Sequence, residues 1–295
     1  MKSCSLLTVT IVIFVTIAST FGLSFGKVDT VTVEDKATWL WDTSRIIEDE
    51  AGVLSFLENK QVNKLYLQIN MDIVSADYKR FISHATARGI KIYALDGAPD
   101  WVSKDGYKMQ DQLFDWLHTY NKNAEVTERF SGVHLDIEPY LNSGWSYNQT
   151  QSIESYQALL TRAKKETKQL QLPLEADMPF WFDEIKYNNQ FGKGLLAEWV
   201  INQVESVSIM AYRNTAKDII KIVQHEVAYA KKVNKSIVIS VETGALDDNQ
   251  NITFYDNGEA YMNKQLALVQ RHYAKKTSYQ GVAIHHVDSW MNMQP

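Results

Sequence analysis

Cysteine is nearly absent from this chain of 295 residues: the single example, Cys4, sits in a segment expected to be removed. Without it the mature chain holds no disulfide, and must rest on a core large enough to stand alone. Cys4 also precedes the first apolar run rather than following it, which argues against lipidation there. Charge of one sign is equally scarce. Thirty Lys and Arg against 35 Asp and Glu leave a net charge of −5, which offers no basic surface to nucleic acid or anionic membrane. There is no zinc-type Cys/His spacing, no phosphate loop and no HExxH, so neither a metal nor a cofactor is expected. Linkers and low-complexity stretches are lacking after the first segment, which leaves one domain as the simplest reading.

That first segment has a basic start at Lys2, an apolar run over 6–18 and small residues leading to Lys27, the layout of a secretory signal. Cleavage after Ser24 or Gly26 gives a signal peptide over 1–26 and a domain over 27–295. The alternative is an uncleaved anchor, because 5–25 is just long enough to span a bilayer. The expected location is therefore secreted or extracytoplasmic, with membrane contact only through such an anchor, and a monomer is expected.

From Thr38 onward, short β-rich runs alternate with helical patterns. The strands are predicted at 38–41, 64–69, 91–95, 132–137, 174–178, 206–211, 236–241 and 281–285, and the helices at 46–57, 76–88, 110–122, 152–169, 193–203, 216–233 and 259–275. In 152–169, Ile153, Tyr156, Leu160 and Ala163 recur at the spacing of a helix packed on a sheet. Strands alternating with helices imply parallel pairing through crossovers. Eight such units in one domain point to an α/β fold of the closed (β/α)8 TIM-barrel type. No glycine-rich turn follows the first strand, which counts against a dinucleotide-binding sheet.

Barrels of this kind place chemistry at the C-terminal ends of their strands. The fourth strand ends in the run His134-Leu135-Asp136-Ile137-Glu138-Pro139. Side chains alternate across a strand, so Val133, Leu135 and Ile137 face the outer helices while His134, Asp136 and Glu138 point inward. Carboxylates two residues apart, with Cα atoms roughly 6.5 Å apart, raise one another's pKa and set a proton donor beside an ionised partner. Cleavage of a glycosidic bond needs that pairing. A buried salt-bridge network is the structural alternative, and a hydrogen-bonded structural role suits His134.

The segment Ser131-Gly132-Val133-His134-Leu135-Asp136-Ile137-Glu138 resembles the D-G-x-D-x-D-x-E strand of the family 18 glycoside hydrolases, the chitinase-like enzymes. Met210-Ala211-Tyr212 resembles their M-x-Y-D, with Arg213 in the place of its aspartate. The resemblance implies Glu138 as the acid that protonates the glycosidic oxygen. It implies Asp136 as the group orienting the substrate's N-acetyl, whose carbonyl oxygen is the nucleophile, and Tyr212 as its support. The pattern departs at Ser131 and His134, which replace two aspartates, and at the eighth strand, where Ile284-His285-His286 stands in place of a tryptophan. The third strand also lacks the family's S-x-G-G and continues as Leu95-Asp96-Gly97-Ala98-Pro99.

A second resemblance, to the large barrel clan of retaining glycosidases, implies Glu138 as acid/base and Glu242, ending the seventh strand, as nucleophile, and a structural or substrate-contacting Glu242 is the alternative. Asp42, Asn70, Asp96, Glu175 and Asp177 lie at or near strand ends, where they suit either sugar hydroxyls or loop and helix-cap roles. Trp101, Trp145, Trp181 and Trp290 fall in or after strand-to-helix loops and are candidate stacking platforms, and His134 and His285 are candidate contacts. Trp116 and Trp199 fit the core. The expected partner is a glycan with a β-linked N-acetylhexosamine. Rivals are a non-catalytic carbohydrate-binding protein, a cell-surface interaction protein and, least supported, a metal-dependent deacetylase.

Overall fold

Eight parallel strands close on themselves: β1 Asp35–Leu40, β2 Lys64–Gln68, β3 Lys91–Asp96, β4 Gly132–Leu135, β5 Leu174–Pro179, β6 Ser206–Met210, β7 Ser236–Glu242 and β8 Tyr279–His285. Each pairs with its neighbours in chain order, and β8 pairs back onto β1 with Ala37 opposite Ala283. The computed structural model describes residues 34–246 and 251–295. The signal segment expected at 1–26, with its alternative of an anchor, lies outside the described residues. No described helix is long and apolar enough to cross a membrane.

The period of two along each strand divides the core in two. Val133, Leu135 and Ile137 join the large cluster between strands and helices, as alternation predicts, with Ile153, Tyr156, Leu160 and Ala163 of the helix Gln149–Leu170 opposite. Inside the barrel the filling is Ala37, Trp39, Tyr66, Tyr93, Leu95, Val238 and Ala283. That interior is more aromatic and more polar than the usual Val, Ile and Leu layers.

Three predicted elements differ in detail. Residues 193–195 are not helical: Lys186–Asn189 and Gly192–Leu195 form an antiparallel hairpin, and the helix is Leu196–Gln203. Gly192 and Gly194 disfavour helix, so the turn chemistry prevails over the apolar pattern. The stretch 216–233 is two helices, Ala216–Ile222 and Gln224–Val233, broken at Val223. The first helical stretch is likewise split at Asp49, into Arg45–Glu48 and Glu50–Asn59.

The N-terminal end of the barrel is closed by charge. Lys64, almost fully buried, reaches Asp35 Oδ2 at 2.5 Å and Glu175 Oε1 at 2.8 Å. Tyr66 Oη adds a hydrogen bond to Glu175 Oε2 at 3.2 Å. Glu175 is therefore a member of this network, at the end of the barrel opposite the mouth.

Candidate active site

Strand β4 ends at Leu135 because its last ladder contacts give way to a turn. The Asp136 N–H still donates to Asp96 O at 3.0 Å, but Pro139, which has no N–H, opens the 3₁₀ turn Pro139–Leu141. The strand-end loops approach closely here. Gly97 has φ of +144°, and a Cβ there would lie 2.2 Å from the Asp136 carbonyl oxygen. Gly97→Ala is expected to cost at least about 2 kcal/mol and to displace Asp136. Thermal melting and activity of the variant check this, and an unchanged melting temperature would refute the close approach.

Burial pushes the Asp136 carboxyl well above the usual carboxylate range, and the nearby Asp177 and Glu138 push it further against the pull of His134. Its Oδ1 is buried without a hydrogen-bond partner among the described residues. Glu138 is also raised, again mainly by burial, although the Tyr140 hydroxyl donates to its Oε1 and favours the carboxylate. Both groups move in the same direction, so the pair keeps a proton to higher pH than two solvated carboxyls would.

Beneath them, His134 is fully buried and stacked on Tyr66, with ring centroids 3.8 Å apart. Its Nε2 lies 2.8 Å from Asp177 Oδ2, which also accepts from Trp39 Nε1 at 3.1 Å. Burial alone would lower the imidazole pKa, but Asp177 and Glu175 outweigh it and raise it to about 9. Together with the Lys64 network, this forms a charged ladder from the barrel floor to the base of Asp136.

Across the mouth, Glu242 is engaged through both oxygens. Oε1 accepts the N–H groups of Thr243 and Gly244 at 2.8 and 2.6 Å, and Oε2 lies 2.8 Å from His285 Nδ1. Burial raises its pKa, but the His285 contact and the two N–H donors outweigh burial and leave it below the ordinary value. Trp41 Nε1 donates to His285 Nε2 at 2.9 Å, which assigns the imidazole proton to Nδ1. The Tyr212 ring lies 6.1 Å from that of His285. Its hydroxyl pKa is raised strongly, first by burial and then by the charges of Glu242, Asp177, Asp136 and Glu138.

The remaining predicted residues separate into two groups. Asp96 is near the centre, accepting from Gln68 Nε2 at 3.2 Å and from the Gly97 N–H at 2.8 Å, and burial raises its pKa. Trp145 and Trp181 cluster with Tyr140 and Phe182 on the loops after β4 and β5. By contrast, Asp42 and Asn70 are exposed and fold back on their own turns, accepting the N–H of Ser44 and of Asp72. Trp290 is 1% exposed and donates to Glu259 Oε1, so it belongs to the outer core rather than to a platform. Trp101 is also buried, and lines a cavity of about 710 Å³ between the turn Pro99–Val102 and the helix Gln149–Leu170. Both rings are drawn in by helices that cover the barrel. Trp39, Trp41, Tyr66 and Tyr140 were not expected from the sequence. The alternation that puts His134 inside would have found the first three.

No family model and no curated protein matches the sequence. Solved structures do match. A chitinase from Chromobacterium violaceum superposes with a TM-score of 0.57 at 11% identity, covering 88% of this chain and 97% of that one. The fold is that of the chitinase-like (β/α)8 barrels. A chitinase from Bacteroides thetaiotaomicron gives a TM-score of 0.55 at 12% identity, covering 87% of this chain and 90% of that one. The spore cortex-lytic enzyme of Bacillus megaterium gives 0.52 at 12%, covering 88% and 73%. Within this chitinase-like barrel, the D-x-E of β4 and the tyrosine after β6 stand together at the C-terminal mouth, while His134 takes the inward position below Asp136.

Proposed function

We propose that the chain is a glycoside hydrolase acting on a β-linked glycan that contains N-acetylhexosamine. One observation carries the reading: Glu138 and Asp136, which follow β4 at the barrel mouth, are both shifted toward the protonated form, with Tyr212 near enough for both to act on its hydroxyl. Glu138 donates its proton to the glycosidic oxygen as the bond to the anomeric carbon breaks. The acetamido carbonyl oxygen of the substrate closes on that carbon, with Asp136 holding the acetamide N–H and Tyr212 supporting the carbonyl. Glu138, now ionised, takes a proton from water as that water opens the ring, and the acid is restored. Glu242 fits this scheme as the group that holds His285. Its two oxygens are already occupied by three donors, which disfavours it as a nucleophile.

The deciding experiment compares fully N-acetylated oligosaccharides with their de-N-acetylated counterparts. Substrate-assisted chemistry cleaves only the former, a two-glutamate enzyme cleaves both, and a binding protein binds without turnover. The pH profile supplies a separate check. The acid must be protonated, so kcat/KM falls as pH rises through the Glu138 pKa, and this limb lies higher than for a solvated glutamate because burial raises that pKa. Tyr140→Phe removes a hydrogen bond to the carboxylate form and should move the limb to still higher pH. A shift in the opposite direction would remove Tyr140 from this role. The proposed setting is extracytoplasmic and the proposed state monomeric, checked by N-terminal sequencing of the mature chain and by its mass in solution.

A further inference from the structure

Arg213 follows Tyr212 directly at the end of β6, where the resembled motif has an aspartate. The substitution inverts a charge at the barrel mouth. Its guanidinium lies over the ring of Phe180, with Cζ 4.8 Å from the centroid, and Phe180 opens the loop after β5. Its Nη1 donates to the Tyr212 carbonyl at 2.6 Å. Stacking uses the face of the guanidinium and leaves its in-plane N–H groups at the edge, the geometry that takes a carboxylate through two parallel hydrogen bonds.

Arg213 serves none of the site's own acids. The groups that act most on Glu138, Asp136 and Glu242 are Asp177, Tyr140, His134, His285, the N–H groups of Thr243 and Gly244, and the Glu138 charge on Asp136. Among the described residues no carboxylate forms an ion pair with Arg213, which contacts the Tyr212 carbonyl and the Phe180 ring. A held cation at that place favours an anionic glycan over a neutral one. An anionic one would meet the carboxyls of Asp136, Glu138 and Glu242 at the mouth, where a nearby cation favours it.

We propose that Arg213 selects a substrate carrying a carboxylate on the sugar adjoining the N-acetylhexosamine whose linkage is cleaved. The proposal rests on the hydrolase reading of the same site. The carboxylate has two chemical sources, a hexuronic acid or the lactyl ether of an N-acetylmuramyl residue. The probes share one β-linked N-acetylglucosamine and differ in the next sugar: glucuronic acid in hyaluronan oligosaccharides, N-acetylmuramic acid in peptidoglycan glycan strands, and a second N-acetylglucosamine in chitin oligosaccharides.

The measurement is kcat/KM on each probe for the wild type, Arg213→Gln and Arg213→Lys, with melting temperatures to verify folding. Wild type is expected to favour one of the acidic probes, and which one identifies the source. Arg213→Gln should lower the acidic-to-neutral ratio by about 10- to 100-fold, mainly through KM, with Arg213→Lys in between because it keeps the charge and loses the fork. If wild type cleaves the neutral probe and the ratio does not respond to Arg213→Gln, the proposal fails and the hydrolase reading stands. If nothing is cleaved, calorimetry on the same probes decides: acidic oligosaccharides bound by wild type and lost in Arg213→Gln uphold Arg213 without the hydrolase, and no binding overturns both.

Discussion

Glu138→Gln is expected to lower kcat on an N-acetylated glycan by roughly 10²- to 10⁴-fold, with substrate affinity changed little. The amide keeps the size of the side chain and still accepts from the Tyr140 hydroxyl, but has no proton to give the leaving oxygen. Initial rates with calorimetric binding on the same oligosaccharide separate the two effects. Full activity on every glycan that the wild type cleaves would remove Glu138 from the chemistry. Glu242→Gln is the informative comparison. If Glu242 holds His285, its replacement loosens the imidazole and lowers activity without trapping a covalent species. A glycosyl group found on Glu242 by mass spectrometry would reverse the assignment in favour of the two-glutamate scheme.

The largest loss of stability is expected from Lys64→Met. Methionine matches the length of the lysine stem, but leaves Asp35 and Glu175 facing each other in the barrel floor without their shared cation. Breaking a buried pair from one side costs about 3–5 kcal/mol, which for a domain of this size lowers the melting temperature by roughly 10 °C. The double variant Lys64→Met/Glu175→Gln should recover part of it, because the cost falls chiefly on the stranded carboxylate. The effect also has a pH signature. Burial raises the Glu175 pKa, but His134 and Lys64 outweigh it and leave it lowered in the folded state. Its contribution is thus present above the unfolded value of about 4.3 and is lost as pH falls through the folded value. The Lys64 pKa is raised in the folded state, so its share is intact below about pH 10.4 and is lost only in stronger base. The melting difference between wild type and Lys64→Met should therefore be largest near neutrality and narrow in acid. A difference that widens in acid would contradict the assignment.

Much of this architecture is legible without coordinates because it depends on periodicities of one chain. The eight alternating units, the outward Val133, Leu135 and Ile137, and the inward His134, Asp136 and Glu138 all follow from the two-residue repeat of a strand. The same repeat places Trp39 and Tyr66 inside beside His134, though aromatic residues announce no chemistry in a sequence and are easily assigned to the outer core. Local turn chemistry is harder to weigh, as the hairpin at Gly192–Leu195 and the break at Val223 illustrate.

What the sequence determined by itself is where the carboxyls of the fourth strand lie and which face they share, since alternation is a property of the backbone. Their company comes from the folding of distant strands against one another. His134 meets Asp177 and Glu175 across β4 and β5, Glu242 meets His285 across β7 and β8, and Lys64 meets Glu175, 111 positions away, through the barrel interior. Burial and proximity set charge states, and both arise from closure of the barrel. The same closure withdraws Trp101 and Trp290 into packed layers, while Asp136 and Glu138 stay at the mouth with their pKa values raised.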